Sequence, residues 1–296
     1  MKILLLGKGG QVGWELQRSL APLGELVALD FDSPEACGDF TQPESLARTV
    51  RDLAPHIIVN AAAYTAVDGA QAEPDKARLV NATAPGVLAR QAQALGAWLV
   101  HFSTDYVFDG SGDRPWRESD PTGPLNVYGQ TKLEGEQLVQ TGCQRHLILR
   151  TSWVYAARGS NFAKTMLGLA AEREELTVVD DQIGAPTGAE LLADTTALVL
   201  RELERQPQLA GLYHLSAQGQ TSWHGYACHV IEQARQIRPE KTFKVRQIKP
   251  VKSSAFQTAA RRPHNSRLDT RRLMSTFGLT LPPWQQGVDR MLREIL

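Results

Sequence analysis

The chain has 296 residues, 42% of them hydrophobic, enough to bury a large core as one domain or two unequal ones. Lysine plus arginine and aspartate plus glutamate each number 32, so charge gives no support to a nucleic-acid or membrane-surface partner. Cys37, Cys143 and Cys228 are odd in number, far apart and without metal-ligand spacing, and no apolar run is long enough to cross a bilayer. A reduced, cytoplasmic protein is expected.

Ile3 to Leu6 is a continuous apolar run, as in a parallel strand buried on both faces. Gly7-Lys8-Gly9-Gly10-Gln11-Val12-Gly13 follows at once, and Val12, Leu16 and Leu20 then recur at helical spacing. In a strand–turn–helix setting, glycines at Gly7, Gly10 and Gly13 give a tight turn, close backbone approach to a pyrophosphate and helix–strand contact. The helix N-terminus adds free N–H groups for that anion. A glycine turn without a ligand is the plainer alternative. Leu26 to Leu29 reads as the second strand and ends at Asp30, whose carboxylate would accept from a ribose 2′-hydroxyl and repel a 2′-phosphate. A turn residue is the alternative there. Asp39-Phe40 is a weaker candidate beside an adenine. It precedes Thr41-Gln42-Pro43-Glu44, a pattern that predicts a capping box opening the next helix.

Ile57 to Val59 is another short buried strand, followed by Asn60-Ala61-Ala62-Ala63-Tyr64-Thr65, where small residues admit either a flat ligand or a closely packed helix. Asp75 to Leu95 reads as helical with a kink or break at Pro85. Trp98 to Phe102 is a strand ending at Ser103-Thr104-Asp105-Tyr106, which puts hydroxyls where open α/β sheets bind ligands. Strand alternation sends Ser103 and Thr104 to opposite faces. A loop rich in Gly, Pro and Asp then delivers the chain to Tyr128. In a helix, Tyr128 and Lys132 share one face, and the ammonium would lower the phenol pKa. By spacing alone, the same pair fits an ordinary solvated helix surface.

Leu147 to Arg150 is a further strand, leading to Thr151-Ser152-Trp153. Leu176 to Val179 and Leu212 to Leu215 read as strands, and Glu190 to Leu203 and Tyr226 to Ile237 as helices. The expected fold class is α/β, a Rossmann-type doubly wound parallel sheet with a smaller, discontinuous substrate-binding lobe. Residues 1–150 form the dinucleotide-binding domain, with parts of 173–187 and 226–262 returning to it. Residues 151–172, 188–225 and 263–296 form the lobe. Arg261, Arg262, Arg267, Arg271 and Arg272 surround Pro263-His264-Asn265-Ser266, either as a diphosphate site or as a solvated basic surface. The histidines show no metal-ligand spacing, and His101 and His214 read as core residues.

With Gly7, Gly10, Gly13, Asn60, Thr104, Tyr128 and Lys132 in this order, the chain resembles the extended short-chain dehydrogenase/reductase superfamily. Five blocks, 103–110, 124–129, 150–155, 181–187 and 262–268, narrow the resemblance to the dTDP-4-dehydrorhamnose reductase family over essentially the whole chain. The resemblance implies NADPH- or NADH-dependent reduction of the C4 ketone of dTDP-4-dehydro-L-rhamnose to dTDP-L-rhamnose, for bacterial surface polysaccharide. It implies Tyr128 as proton donor to the C4 alkoxide, Lys132 as holder of the ribose hydroxyls and tuner of the phenol, and Thr104 on the substrate carbonyl. Asp105 and Trp153 are the implied sugar contacts, with Arg262 and Asn265 as further substrate candidates. The implied cofactor contacts are Gly7, Gly10, Gln11, Val12, Gly13, Asp30, Asp39, Phe40, Ala63, Tyr64, Thr65 and Phe102, with Tyr128 and Lys132. Family members with magnesium at a dimer interface point to a homodimer and to Glu15, Glu190 and Glu294 as metal ligands.

Two rival readings stand beside this one. A nucleotide-sugar epimerase or dehydratase shares the fold, but dehydratases carry Thr-Asp-Glu where this chain has Thr104-Asp105-Tyr106, so elimination lacks its base. A cofactor-binding regulatory subunit needs no intact acid/base set. NADH and NADPH stay open: the charge of Asp30 favours the first, and the family uses either.

Overall fold

The computed structural model describes residues 1–296. The first half runs β1 (Lys2–Leu6), α1 (Gln11–Leu20), β2 (Glu25–Leu29), α2 (Pro43–Leu53), β3 (Ile57–Asn60), α3 (Val67–Ala72), α4 (Pro74–Arg78), α5 (Ala84–Leu95), β4 (Trp98–Thr104), α6 (Val127–Gly142) and β5 (His146–Thr151). The second half continues with β6 (Val154–Tyr155), α7 (Phe162–Glu172), β7 (Glu175–Val179), β8 (Ile183–Gly184), β9 (Thr187–Gly188), α8 (Ala189–Arg205) and β10 (Gly211–His214). It closes with β11 (Thr221–Ser222), α9 (Trp223–Ile237), β12 (Gln247–Val251), α10 (Arg271–Phe277) and α11 (Trp284–Ile295).

Six strands form one parallel sheet in the order β2-β1-β3-β4-β5-β10. The apolar runs supply side chains to both faces, because strand residues alternate. Ile3, Leu5, Val59, Val100 and Leu147 pack with α1 and α8 on one face. Leu4, Leu6, Ile58, Leu99 and Ile148 pack with α2, α5 and α6 on the other. Chain order reverses between β1 and β3, so their carboxyl ends diverge and open a crevice there.

A second core, with Ala163, Leu176, Val178, Tyr226, Val230, Val288 and Leu292, joins α7, β7, α9 and α11. This corrects the expected partition of the chain. Residues 189–214 belong to the main sheet, since β10 pairs with β5 and Leu192, Leu200 and Tyr213 enter its core, as does Leu273 of α10. Conversely, β7 pairs with β12, and α9 packs among α7 and α11, so these segments stay in the lobe. Their apolar stripes fit either core, and only docking decides between the two.

The stretch from α4 to α5 is helical across a π turn at Leu79–Thr83, and Pro85 sits in the first turn of α5. The wider turn is where Pro85 fits without breaking the helix. The expected capping box at Thr41 does not form, and α2 begins at Pro43 without a side-chain cap. Asp39 organises the turn instead, accepting from Thr41 N at 2.8 Å and from Gln42 Nε2 at 2.9 Å.

Candidate active site

The carboxyl ends of the sheet strands and the edge of the lobe enclose a cavity of 820 Å³. Its first wall is the glycine turn. Gly7 has φ +88°, and a Cβ there would lie 2.7 Å from Ala62 N; one at Gly13 would lie 1.9 Å from the Gly7 carbonyl oxygen. Those two glycines are required by the chain itself. Gly10 is different, because a Cβ there would meet only the Gly7 oxygen, at 3.5 Å. Gly10, Gln11 and Val12 border the cavity, so a diphosphate can approach the backbone at the start of α1.

Asp30, Asp39 and Phe40 border the same end. The Asp30 carboxylate accepts from Gly9 N at 2.8 Å and from Phe31 N at 3.0 Å, which ties the end of β2 to the glycine turn. Burial pushes the Asp39 carboxyl up, but hydrogen bonds from Thr41 and Gln42 outweigh it and hold the pKa below the usual value. Phe31, beside Asp30, is 72% exposed at the rim. Ala63, Tyr64 and Thr65 form the facing wall. Asn81, in the π turn, pins that wall: its Oδ1 accepts from Tyr64 N at 2.8 Å and its Nδ2 donates to Tyr64 O at 3.1 Å.

Phe102, Thr104, Asp105, Tyr128 and Lys132 meet at the other end. Asn126 starts α6 by accepting from Gly129 N at 2.9 Å, and a Cβ at Gly129 would fall 2.1 Å from the Tyr106 carbonyl oxygen. That close approach brings Tyr128 up to the end of β4. Burial pushes the Tyr128 phenol up to about 12, against a hydrogen bond with Thr104, while the nearby Asp105 charge adds to the rise. The net shift is upward, against the lowering expected from the Lys132 charge. The ammonium instead donates to the Phe102 carbonyl oxygen at 2.6 Å. Burial pulls Lys132 down to about 8, with Glu136 opposing. Burial also raises Asp105 to about 7, against hydrogen bonds from Ser266 and Thr104.

Ser103 borders the cavity together with Thr104. Ser103 Oγ, Thr151 Oγ1, Ser152 Oγ and Asp105 Oδ2 are buried without a hydrogen-bond partner, and all four residues line the cavity. Folded proteins leave few such groups orphaned, and four of them gather at this end of the cavity. Trp153 closes this end with φ +50°, a strained backbone for a bulky residue. Trp223 of α9 stacks on it at 3.7 Å between centroids and 14° between planes. On the other side, a Cβ at Gly184 would lie 2.6 Å from the Trp153 ring.

Several expected site residues lie elsewhere. Gly13 serves the helix–strand contact and does not border the cavity. Arg262 is engaged by Asp68 at 2.6 Å, and Asn265 uses its amide on the carbonyls of Ser111 and Arg114 at 3.2 and 2.8 Å. Arg271 pairs with Asp269, and Arg272 stacks on Tyr213, so the arginines do not form one anion site. Glu15, Glu190 and Glu294 come near one another: burial raises the Glu190 pKa, and the charges of the other two add to it. Within this one chain, no three His, Cys, Asp or Glu side chains are grouped to hold a metal ion.

A family model described as RmlD substrate binding domain matches residues 1–296. Proteins from Shigella flexneri and Escherichia coli named dTDP-4-dehydrorhamnose reductase are each 58% identical to this chain over 295 residues, covering 100% of it and 98% of theirs. The chain belongs to the dTDP-4-dehydrorhamnose reductase family. Solved members of the family share its fold along the full length. One from Bacillus anthracis, in complex with NADP, is 35% identical with a TM-score of 0.87, covering 99% of both chains. One from Clostridium acetobutylicum is 32% identical with a TM-score of 0.88, covering 100% of this chain and 99% of the other. The fold class and family expected from the motifs agree with these findings. The sequence reading missed Asn81, Trp223 and the Thr151–Ser152 hydroxyls. Only Ser152 and Thr151 carried a signal, as hydroxyls following an apolar strand.

Proposed function

We infer that this chain reduces the C4 ketone of dTDP-4-dehydro-L-rhamnose to dTDP-L-rhamnose with a nicotinamide dinucleotide, the last step in making that sugar nucleotide. The observation that carries the reading is the meeting of Thr104, Tyr128 and Lys132 at one end of a cavity whose other end is the glycine turn. The residues fit a dinucleotide: the open approach at Gly10 takes the diphosphate, Asp30 and Phe31 border the adenosine end, and Phe102 and Lys132 border the nicotinamide end. When bound, the reduced nicotinamide supplies the hydride.

The chain supplies the proton and the alignment. A phenol with a pKa near 12 is fully protonated at neutral pH, so Tyr128 enters the reaction as an acid. It gives its proton to the C4 oxygen as negative charge develops there, and Thr104, which lines the same end of the cavity, orients the same carbonyl. The charged Lys132 stabilises the phenolate left behind and reaches the ribose hydroxyls from its anchor on Phe102. Asp105 and the stacked Trp153 hold the sugar, with the unpartnered hydroxyls of Ser103, Thr151 and Ser152 near its polar groups. Tyr106 occupies the place of the dehydratase base, and burial keeps its proton on, so reduction is favoured over elimination.

In this reading the Asp30 carboxylate would accept from the adenosine ribose 2′-hydroxyl, which supports use of NADH. The relative from Bacillus anthracis is in complex with NADP. A cytoplasmic location belongs to this reading, supported by three unpaired cysteines. A homodimer is part of the same reading. Trp14 and Leu198, 46% and 56% exposed, flank the Arg18–Asp194 ion pair on α1 and α8 and offer an apolar contact. Sedimentation with and without a chelator tests the dimer and any magnesium shared across it.

Incubating the purified protein with dTDP-4-dehydro-L-rhamnose and NADPH or NADH, and identifying the sugar nucleotide formed, tests the activity. Formation of dTDP-L-rhamnose with one cofactor oxidised per sugar is expected. Tight cofactor binding without turnover would shift the assignment to a regulatory subunit.

A further inference from the structure

A buried ion pair lies one helical turn beyond Lys132. Glu136 follows Lys132 by four residues on α6, and its carboxylate accepts from Arg150 Nε at 2.8 Å and Nη2 at 2.6 Å. The two residues are 1% and 4% exposed. Sealing two charges away from water has a large desolvation cost that their attraction barely offsets, and apolar residues of similar volume commonly hold two elements together as well or better. Fastening α6 to β5 is therefore a weak reason for this pair.

Its surroundings supply a stronger one. Lys132 is itself buried, with Phe102 O as its hydrogen-bond acceptor. From β4 it faces His101, which adds no positive charge. Asn60 Nδ2 donates to His101 Nδ1 at 3.0 Å, and burial together with Lys132 holds that imidazole neutral. From α6 it faces Tyr128 and Glu136. Asp105, after β4, acts on Tyr128. On α4, Lys76 pairs with Glu73, and Arg78 pairs with Asp75 and with Glu134 of α6. On α3, Asp68 pairs with Arg262. Glu136 is the one anion whose field supports the Lys132 charge against its burial.

We propose that Glu136 and Arg150 are positioning residues for the acid/base site: Glu136, one helical turn from Lys132, supports the ammonium in its sealed pocket, and Arg150 fixes the Glu136 carboxylate in place. Arg150 also carries Thr151 and Ser152 directly after it, so the same contact sets β5 against the cavity that Lys132 enters. The proposal rests on the reading of Lys132 given above. A purely structural pair would affect folding and leave the pH at which Lys132 loses its proton in place.

The test is NADPH affinity from nicotinamide fluorescence, measured from pH 6 to 9.5. It compares wild type, Glu136→Gln, the paired replacement Glu136→Leu with Arg150→Met, and Lys132→Met. The paired replacement leaves no stranded charge, and circular dichroism verifies that it folds. Wild type should weaken as pH rises through about 8, and in both Glu136 variants the midpoint should fall by roughly one pH unit. Near pH 7.5 this is a several-fold loss of affinity, absent at pH 6. Midpoints unmoved in a folded paired variant, while Lys132→Met abolishes the transition, overturn the proposal alone. A transition that persists in Lys132→Met overturns the assignment of Lys132, and the proposal with it.

Discussion

Lys132 Nζ donates to the carbonyl oxygen of Phe102 at 2.6 Å, which anchors the ammonium near the end of β4, in the cavity that Tyr128 also lines. Burial has pulled its pKa to about 8, so the cation is close to losing its proton in the working range. A group that must be charged, with a depressed cationic pKa, acts below that pKa and fails above it. The rate kcat/KM should therefore fall as pH rises through about 8. Lys132→Met should remove this limb and lower kcat/KM by about 10²-fold, as expected when a developing phenolate loses its neighbouring cation. A pH–rate series on both proteins checks the point.

Asp105 sits behind the Thr104 hydroxyl, with Oγ1 3.2 Å from Oδ1, and burial has raised its carboxyl to about 7. The folded state thus keeps a proton that the unfolded chain releases near 3.8. A raised pKa contributes stability that is complete below the unfolded value and is lost as pH rises to the folded one. Wild type should lose stability relative to Asp105→Asn between these two pH values, on the order of 2–4 kcal/mol in total. Denaturant titrations at several pH values measure the difference.

The Asp30 carboxylate is held by the Gly9 N–H at 2.8 Å, so it stays at the adenosine end. Asp30→Asn keeps an oxygen for that hydrogen bond and removes the charge. Selectivity should shift about tenfold toward NADPH over NADH, the scale of one partly exposed like-charge contact. Steady-state kcat/KM for the two cofactors reads this directly.

Trp153 keeps its strained φ between the Trp223 ring and the bare face of Gly184. Removing the stack in Trp223→Ala should raise KM for the sugar nucleotide about fivefold, in line with roughly 0.5–1.5 kcal/mol for an aromatic pair. Cofactor affinity should stay within twofold. An unchanged KM would remove Trp223 from the sugar wall.

The parts legible in the sequence are those fixed by local geometry. Gly7 and Gly13 are dictated by one tight turn, Asp30 by the end of a five-residue strand, and Tyr128 with Lys132 by a single helical turn. What stayed hidden depends on docking between distant segments. Arg262 reads as an anion binder until Asp68, 194 positions away, is found beside it. Trp223 lies in the lobe, and nothing near it in the chain shows that its face meets Trp153. The sign of the Tyr128 shift was hidden for the same reason, because spacing reveals a neighbouring cation but not the depth at which the phenol is buried.

The central claim is that Tyr128 donates the proton in a nicotinamide-dependent ketone reduction. Its most direct test is NADPH oxidation with dTDP-4-dehydro-L-rhamnose by wild type and Tyr128→Phe, with the cofactor Kd measured on both. The account predicts a loss of kcat of about 10²–10⁴-fold with the Kd nearly unchanged, the usual weight of a positioned general acid. Turnover by Tyr128→Phe at the wild-type rate would contradict it.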